Sequence, residues 1–270
     1  MTEAQLHKIA EGREAEIFAW EDGAALRLLR NPNAQRQVEW EAQAMRAAAA
    51  AGVRVPAVHG TTTVDGRPGL IMERIDGIDL LAIVGKQPWQ VFSVGALSGR
   101  IHAALHEVIA PAGIPALKDT LRGRIQHSGR VPEHLTGFAL AELNELPDGD
   151  RLCHGDFHPG NIMQTNSEHV LIDWTNAARG DPTADYVRTD IMIRMGGIPP
   201  GQPIVIRYGA IVARGLMRGS YARAYRRLRP IDRALAARWE IAVAAARLAD
   251  GIEDERAKLV RLLEARHTRR

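Results

Sequence analysis

Two polar residues lie five positions apart in one short segment of this 270-residue chain, and their types suggest phosphate chemistry. The segment spans residues 154–162 and contains Asp156 and Asn161, and a further aspartate, Asp173, follows the apolar run 170–172. Phosphoryl transfer uses one carboxylate beside the attacking hydroxyl, and an amide oxygen and a second carboxylate that hold Mg²⁺ against the nucleotide phosphates. The spacing therefore favours the chemistry of a kinase.

The same segment has a competing interpretation as a metal site. His154, Asp156 and His158 alternate, so on a strand they would share one face and could bind zinc or manganese in a hydrolase. Pro159 and Gly160 end any such strand, and no further cluster of ligands follows. Phosphoryl transfer remains the favoured interpretation.

The run from His154 through Asp173 resembles the catalytic segment of the aminoglycoside phosphotransferase family, whose fold is that of the protein kinases. The resemblance implies that Asp156 is the general base or the carboxylate that orients the hydroxyl. It implies that Asn161 and Asp173 bind Mg²⁺, with ATP as the nucleotide and GTP as a possible alternative.

Three more residues take supporting roles by the same resemblance. His154 is expected to hold the loop by hydrogen bonds, and His158 lies between the expected base and the expected metal ligand. Asp185 occupies the position of an acid that braces the catalytic loop in similar proteins. We therefore expect Asp185 to be structural.

The N-terminal part of the resemblance concerns nucleotide binding. A hairpin over residues 9–18, with Gly12 at its tip, would cover the phosphates, because a bare backbone approaches them closely. The segment 69–77 resembles the hinge between lobes, where adenine would bond to backbone groups near Glu73 to Ile75.

A lysine that binds phosphates in the family is replaced here by Arg27. Its expected partner on the next helix is Glu41, with Glu39 as the alternative. A guanidinium is broader than an ammonium and binds oxygens in pairs, so the exchange is not conservative. Arg30 lies on the opposite face of the same strand and is the alternative if the register differs.

Turn signals and hydrophobic periodicity predict an α+β protein. A small antiparallel sheet with one helix forms the first lobe, with strands at 15–20, 24–29, 58–64 and 70–75 and a helix at 34–51. A larger, mainly helical lobe follows, with helices at 91–108, 117–126, 132–146, 182–192, 204–228, 231–248 and 254–265. By the resemblance this is a bilobal protein-kinase-like fold. Residues 1–74 would form the nucleotide-binding lobe, and residues 75–270 the catalytic and acceptor-binding lobe.

Composition limits the class of protein. Hydrophobic residues make up 46% of the chain and charged residues 25%, which predicts a globular core and not disorder. The lone cysteine, Cys153, excludes an internal disulfide framework. Residues 1–16 carry charges and no apolar signal sequence, and the apolar runs are too short to span a membrane. We expect a cytoplasmic protein with no membrane partner.

Positive charge is concentrated at the C-terminal end. Residues 187–270 contain 18 Lys and Arg against 8 Asp and Glu, a net +10, which leaves −7 for residues 1–186. Six arginines fall on one predicted helix: Arg207, Arg214, Arg218, Arg223, Arg226 and Arg227. Most arginines of the C-terminal segment lie at helical spacing without interleaved aromatic residues, so nucleic acid is not an expected partner. Polycations favour acidic surfaces, so we expect a neutral or anionic acceptor instead of an aminoglycoside.

Two functions remain in competition. The first is an ATP- or GTP-dependent phosphotransferase acting on a hydroxyl of a small molecule, which the three oxygen-bearing residues Asp156, Asn161 and Asp173 favour. The second is a catalytically inactive kinase-like protein that binds a nucleotide or metabolite. Arg27 and the loop with a single glycine favour the second.

Overall fold

The computed structural model describes residues 6–196 and 204–268. Its N-terminal part is a five-stranded antiparallel sheet in the order β1-β2-β3-β5-β4, with helix α1 packed against β4 and β5. The elements are β1 Lys8–Glu11, β2 Ala15–Ala19, β3 Ala24–Leu29, α1 Gln35–Ala50, β4 Val58–Val64 and β5 Arg67–Glu73.

The turn between β4 and β5 is shorter than the sequence predicts. Asp65 and Gly66 both have positive φ, 48° and 77°, as the two central residues of a type I′ hairpin turn require. This two-residue turn lets β5 begin at Arg67, three residues before the predicted start. Gly69 is thus inside the strand, where a Cβ atom would lie 2.7 Å from Leu26 Cδ1. The glycine permits close packing and does not mark a turn.

Residues 74–77 connect the sheet to the helical part of the chain. This part contains β6 Ile78–Asp79, α2 Leu80–Lys86, α3 Val91–Leu105, α4 Leu117–His127, α5 Glu133–Glu145, β7 Arg151–Cys153, β8 Ile162–Gln164, β9 His169–Leu171, β10 Ala178–Gly180, α6 Pro182–Met195, α7 Ile204–Leu228, α8 Arg233–Arg247 and α9 Glu253–His267. The short strands form a three-stranded sheet, β6-β8-β9, and the pair β10-β7.

The predicted long helices are present with shifts of up to three residues at their ends. The helix predicted over 91–108 ends at Leu105, because the next residues form turns, while α6 continues to Met195. Asp181 caps α6 by accepting a hydrogen bond from Thr183 N at 2.7 Å, and Pro182 is its first residue. Helix α2 and strands β6, β8 and β10 were not predicted, since a strand of two or three residues, or a helix of only two turns, shows too little periodicity.

Two helices of the C-terminal part approach each other closely. Gly95 and Gly99 of α3 face α7, where a Cβ atom on either would collide with the backbone of Met217 or Tyr221. The glycines therefore allow α3 and α7 to pack with their backbones near each other, and this brings Tyr221 and Tyr225 of α7 into the core. Within the described residues, no helix has both the length and the apolar character needed to cross a membrane.

Candidate functional site

The catalytic loop leaves β7 and returns to β8 through a tight, internally bonded path. Gly155 has a φ of 76°, and a Cβ atom there would collide with Asn176, so this position needs glycine. Asn161 Nδ2 donates to the carbonyl oxygen of Asp156 at 2.9 Å, and Ile172 N donates to the Asn161 carbonyl at 2.9 Å. The loop is thereby attached to the chain segment that ends at Asp173.

Asp156 extends into a cleft between the sheet and the helices. Its side chain is 26% exposed, and its Oδ1 lies 3.5 Å from Arg188 Nη2. Its Oδ2 lies 3.8 Å from His158 Nε2, while His158 Nδ1 accepts a hydrogen bond from Gly160 N at 3.0 Å. Burial lowers the pKa of His158. His158 therefore closes the turn and borders the carboxylate.

Asp173 has an unusual backbone conformation and a direct link to the sheet. Its φ is 61°, in the left-handed region that Asp tolerates better than most residues. Asp173 Oδ1 accepts a hydrogen bond from Thr175 Oγ1 at 2.6 Å, and Thr175 Oγ1 accepts one from Arg27 Nη2 at 2.6 Å. Burial opposes ionisation of Asp173, but this hydrogen bond and the charge of Arg27 outweigh it and lower the pKa of the carboxyl.

Arg27 is paired with Glu41 inside the cleft. Arg27 Nη1 lies 3.0 and 2.9 Å from the two carboxylate oxygens of Glu41, whereas Glu39 is exposed. Burial raises the pKa of Glu41 to about 7, and the charge of Arg27 opposes that rise. Arg30 lies outside the cleft and pairs with Glu11 and Glu16. Arg27 is thus the arginine of β3 that faces the cleft.

The remaining residues expected to bind nucleotide lie at the cleft margin. Gly12 does not have the left-handed backbone that only glycine adopts freely, and a Cβ atom there would meet nothing nearer than Ala15 O at 3.8 Å. Glu73 and Ile75 line the cleft, but the Glu73 carboxylate is bound to Arg54 at 2.8 and 2.5 Å. The Glu73 side chain is therefore already engaged.

Asp185 lies behind the loop and is completely surrounded. Its Oδ2 accepts hydrogen bonds from His154 N at 2.6 Å, His102 Nε2 at 3.1 Å and His106 Nε2 at 3.3 Å, and its Oδ1 accepts one from Gly155 N at 3.0 Å. Burial opposes its ionisation, yet the histidine hydrogen bonds hold its pKa well below the usual range. Asp185 thus fixes the backbone just before Asp156.

The two buried histidines of α3 connect this carboxylate to α7. His102 Nδ1 and His106 Nδ1 lie 2.8 and 2.6 Å from the hydroxyls of Tyr221 and Tyr225. Because a carboxylate only accepts, the Nε2 of each histidine carries the proton that is donated to Asp185. The three side chains His102, His106 and Asp185 could also approach one metal ion. Hydrogen bonds to one another and to the tyrosines and loop already satisfy them.

His154 stabilises the loop from within. Its Nε2 lies 3.0 Å from Ile172 O, and its Nδ1 accepts a hydrogen bond from Asp156 N at 3.3 Å. His154 is fully buried and stands apart from the cleft-lining residues. Its contacts are those of a residue that orients Asp156.

The cleft has a volume of about 970 Å³ and collects most of the residues expected from the sequence. Those that line it are Gly12, Arg27, Glu41, Glu73, Ile75, Asp156, His158 and Asp173. Asn161, His154 and Asp185 are buried behind this surface. On the amide of Asn161, the oxygen accepts no hydrogen bond from the described residues, which leaves it available to a cation.

Several cleft residues were missed by sequence reasoning. Thr175 follows Asp173 by two positions, so its proximity was a usable local signal. Three arginines, Arg124, Arg188 and Arg247, line the cleft from α4, α6 and α8. They gave no signal, because more than 50 residues separate each from the next.

The arginines of α7 mostly lie away from the cleft. Arg214 lines it, whereas Arg218 is bound to Asp190 at 2.6 and 2.9 Å. Arg223, Arg226 and Arg227 are exposed and do not line the cleft, and the side chain of Arg207 falls outside the described residues. Most of the arginines that line the cleft therefore come from elements other than α7.

The loop at the sheet edge reaches across the cleft. Arg13, next to Gly12, donates from Nη1 to the backbone carbonyl of Asp250 at 3.0 Å. Asp250 follows α8 in a short helical turn. The hairpin and the C-terminal helices are therefore in contact on the far side of the cleft.

A family model described as the phosphotransferase enzyme family matches residues 5–231. This match confirms the family resemblance that the catalytic segment carries.

Solved structures of similar fold include several kinases that act on small molecules. A thermostable mutant of aminoglycoside phosphotransferase APH(4)-Ia, solved with AMP-PNP and hygromycin B, is 19% identical, with a TM-score of 0.64 and coverage of 97% of this chain and 92% of that one. The amicoumacin kinase hAmiN, solved with AMP-PNP, Ca²⁺ and Ami, is 14% identical, with a TM-score of 0.64 and coverage of 97% and 88%. A putative fructosamine-3-kinase from Haemophilus somnus 129PT is also 14% identical, with a TM-score of 0.63 and coverage of 97% and 90%. These likenesses confirm the predicted α+β, bilobal protein-kinase-like fold.

Proposed function

Because the chain belongs to the phosphotransferase enzyme family, we propose that it transfers the γ-phosphate of ATP, or of GTP, to a hydroxyl group of a small molecule. The observation that carries this proposal is the position of Asp156, Asp173 and the Arg27–Glu41 pair around one cleft of about 970 Å³. Such a cleft has room for a nucleotide and a small acceptor together.

Asp156 acts on the acceptor in this proposal. Its carboxylate accepts the proton of the acceptor hydroxyl while the hydroxyl oxygen attacks the γ-phosphorus. The bond from that phosphorus to the bridging oxygen breaks, and the nucleoside diphosphate leaves. The reaction depends mainly on positioning and charge neutralisation, so the hydrogen bonds that hold Asp156 through His154 and Asn161 matter as much as its basicity.

The residues present fit a Mg²⁺ ion. Asp173 is ionised, and the amide oxygen of Asn161 is available, so the donor set consists of the hard oxygens that Mg²⁺ prefers. When bound, the ion would neutralise charge on the nucleotide phosphates. Asp173 and Asn161 would hold it, and Thr175 orients the Asp173 carboxylate by its hydrogen bond.

Arg27 takes the part of a phosphate-binding cation. Glu41 engages its Nη1, and Thr175 engages its Nη2, so the guanidinium is fixed at the cleft surface. A fixed guanidinium donates to phosphate oxygens without the entropy cost of being ordered first. The acceptor is neutral or anionic in this proposal, because arginines line its end of the cleft.

The experiment measures binding of Mg–ATP and Mg–GTP by calorimetry to the wild type and to Asp173→Asn. Asn also tolerates a positive φ, so the variant keeps the loop conformation. We expect saturable binding that Asp173→Asn weakens at least about tenfold, the loss of one charge-assisted contact. Asp148→Asn, an exposed aspartate away from the cleft, is the matched control.

Absence of binding by either nucleotide would contradict the proposal. A second candidate is then a kinase-like protein without turnover that binds a metabolite or a nucleotide weakly. The observation that favours it is Arg27, whose two terminal nitrogens are both engaged in the free protein. Nucleotide binding without consumption across a broad set of alcohols would also point to this candidate.

A further inference from the structure

Three guanidinium groups from three helices converge on one carboxylate in the cleft. Arg124 Nη1 lies 3.0 Å from Asp250 Oδ1, and Arg188 Nη2 and Arg247 Nη1 lie 3.1 and 3.2 Å from Asp250 Oδ2. We call Arg124, Arg188 and Arg247 the arginine cluster. Such an arrangement has the geometry that carboxylate and phosphate oxygens prefer.

The guanidiniums of the cluster are incompletely hydrogen-bonded. Glu255 binds Arg247 at 2.6 and 2.9 Å, and Asp156 Oδ1 lies 3.5 Å from Arg188 Nη2, so with Asp250 three carboxylates face three guanidiniums and the formal charges balance. The Arg188 side chain is only 7% exposed, and its Nε and Nη1 have no hydrogen-bond partner among the described residues. Buried charges are normally fully paired. Arg188 is therefore a buried cation whose hydrogen bonds are incomplete within the described residues.

The pKa of Arg124 is lowered in this cluster. Burial lowers it first, and the positive charge of Arg188 lowers it further, against the opposing charge of Asp250. Asp250 uses only one nitrogen of each guanidinium, and each guanidinium has five N–H donors. Arg124 therefore keeps donors for another anion.

The cluster lies beside the expected base. Arg188 Nη2 is 3.1 Å from Asp250 Oδ2 and 3.5 Å from Asp156 Oδ1, so one guanidinium connects the two carboxylates. The phosphate-binding pair Arg27–Glu41 meets the cleft from the sheet, and the arginine cluster meets it from the helices. An anion at the cluster would thus be on the acceptor side of Asp156.

We propose that the arginine cluster binds an anionic group of the acceptor, a carboxylate or a phosphate, and holds its hydroxyl at Asp156. This inference rests on the proposed phosphotransferase function and narrows its acceptor to hydroxy acids or phosphorylated alcohols. The short path from Arg188 to Asp156 places the anion and the reacting hydroxyl a few covalent bonds apart in the acceptor.

The test uses three probes with the same three-carbon skeleton and the same vicinal diol: glycerate, glycerol 3-phosphate and glycerol, in which a third hydroxyl stands in place of the anionic group. Each is titrated calorimetrically into the full chain, without nucleotide and with saturating Mg–AMP-PNP. We expect the two anions to bind and glycerol not to bind. Whichever anion binds more tightly identifies the group, carboxylate or phosphate, that the cluster serves.

Variants locate the binding. Arg124 is the most exposed member of the cluster, at 27%, so Arg124→Gln should fold, and we expect it to weaken binding of the anions at least about tenfold. Arg122→Gln, on the same helix but away from the cleft, is the matched control and should bind them as the wild type does. Asp250→Asn removes the internal competitor and should strengthen binding, an effect that mere structural damage would not produce.

Three results would overturn the inference. One is equal anion binding by the Arg124→Gln and Arg122→Gln variants. Another is displacement of the anions by Mg–AMP-PNP, which would assign the cluster to the nucleotide phosphates. The third is no saturable binding of either anion up to about 10 mM, well above usual KM values.

Failure of the inference and failure of the proposed function are distinguishable. If the protein consumes nucleotide with neutral alcohols and Arg124→Gln does not change the rate, the phosphotransferase function is supported and the anionic acceptor is contradicted. If the anions bind in a manner that depends on Arg124 but the protein binds no nucleotide, the anion site is supported and the phosphotransferase function is contradicted.

Discussion

Thr175 joins two side chains that are far apart in sequence, Arg27, the proposed phosphate-binding cation, and Asp173, the proposed metal-binding carboxylate. Its hydroxyl oxygen accepts from Arg27 and donates to Asp173, both at 2.6 Å. The long guanidinium reaches this hydroxyl while it also binds Glu41. The replacement of lysine by arginine therefore comes with a partner that uses the additional nitrogen.

Substitution of Asp156 by Asn should separate catalysis from binding. The amide preserves shape but cannot accept the hydroxyl proton, so we expect kcat to fall by about 10²- to 10⁴-fold, the usual contribution of a general base. Nucleotide affinity should stay within about twofold in calorimetry, because the proposed role of Asp156 is at the acceptor hydroxyl and not at the nucleotide. Turnover at the wild-type rate would show that another group serves as the base.

Substitutions at Arg27 should weaken nucleotide binding when they remove the positive charge and not when they keep it. Arg27→Lys keeps the charge near the phosphates, so we expect it to bind Mg–ATP with similar or higher affinity. Arg27→Gln loses the charge and should weaken binding by about 10- to 100-fold, the range for a hydrogen bond to a charged group. Arg30→Gln, on the outer face of the same strand, is the control. Wild-type affinity in Arg27→Gln would place the phosphates elsewhere.

At the scale of elements, the site depends on how α3, α6 and α7 surround the loop that follows β7. Asp185 of α6 binds the loop backbone, and His102 of α3 binds Asp185 and stacks on Phe157 with ring centroids 3.9 Å apart. Tyr221 of α7 completes the chain of hydrogen bonds. The packing of these three helices therefore helps to fix the position of the Asp156 backbone.

This packing predicts a pH dependence of stability. Burial first, and then the nearby His106, lower the pKa of His102 to about 3 from its ordinary 6.5. The unfolded chain takes up a proton below pH 6.5 and the folded protein does not. Stability is therefore complete above pH 6.5 and decreases as the pH falls, by about 2 kcal/mol at pH 5.

Urea unfolding at pH 7.5 and pH 5 measures this effect. In the His102→Gln variant, the part of the fall in unfolding free energy that comes from His102 should be absent. The His134→Gln variant should show the same fall as the wild type, because His134 is exposed and pairs with Glu264. Identical pH dependence in the wild type and in His102→Gln would mean that His102 is already protonated in the folded protein.

Elements were predictable from the sequence where they are long or bounded by turn residues. The long helices and strands β2 to β5 have clear periodicity, and Asp-Gly at 65–66 marks its hairpin. The seven residues of α2 depend on a local cap, in which Asp79 accepts from Ala82 N at 2.8 Å. Strands of two or three residues exist only through pairing with distant segments. Such elements cannot be read from local patterns.

At the scale of the whole molecule, residues distant in sequence build the side of the cleft at which we propose that the acceptor binds. Asp156, Asn161 and Asp173 fall within 18 positions and could be identified together. Arg124, Arg188 and Arg247 come from helices that meet only in the folded chain. The C-terminal segment carries a net positive charge, but the folded packing decides which of its arginines reach the cleft.

The contact between Arg13 and the Asp250 carbonyl has a thermodynamic consequence for the two ligands. The hairpin that would cover the nucleotide touches the turn that carries the carboxylate of the arginine cluster, so the two halves of the cleft share a bond. If both ligands favour the state in which Arg13 contacts Asp250, their binding is coupled. The coupling is reciprocal: the factor by which bound nucleotide raises the affinity for the acceptor equals the factor by which bound acceptor raises the affinity for the nucleotide. The first ligand to bind loses part of its binding free energy to the ordering of the hairpin against this turn. The second ligand binds to a cleft in which that contact is already formed, and therefore binds more tightly.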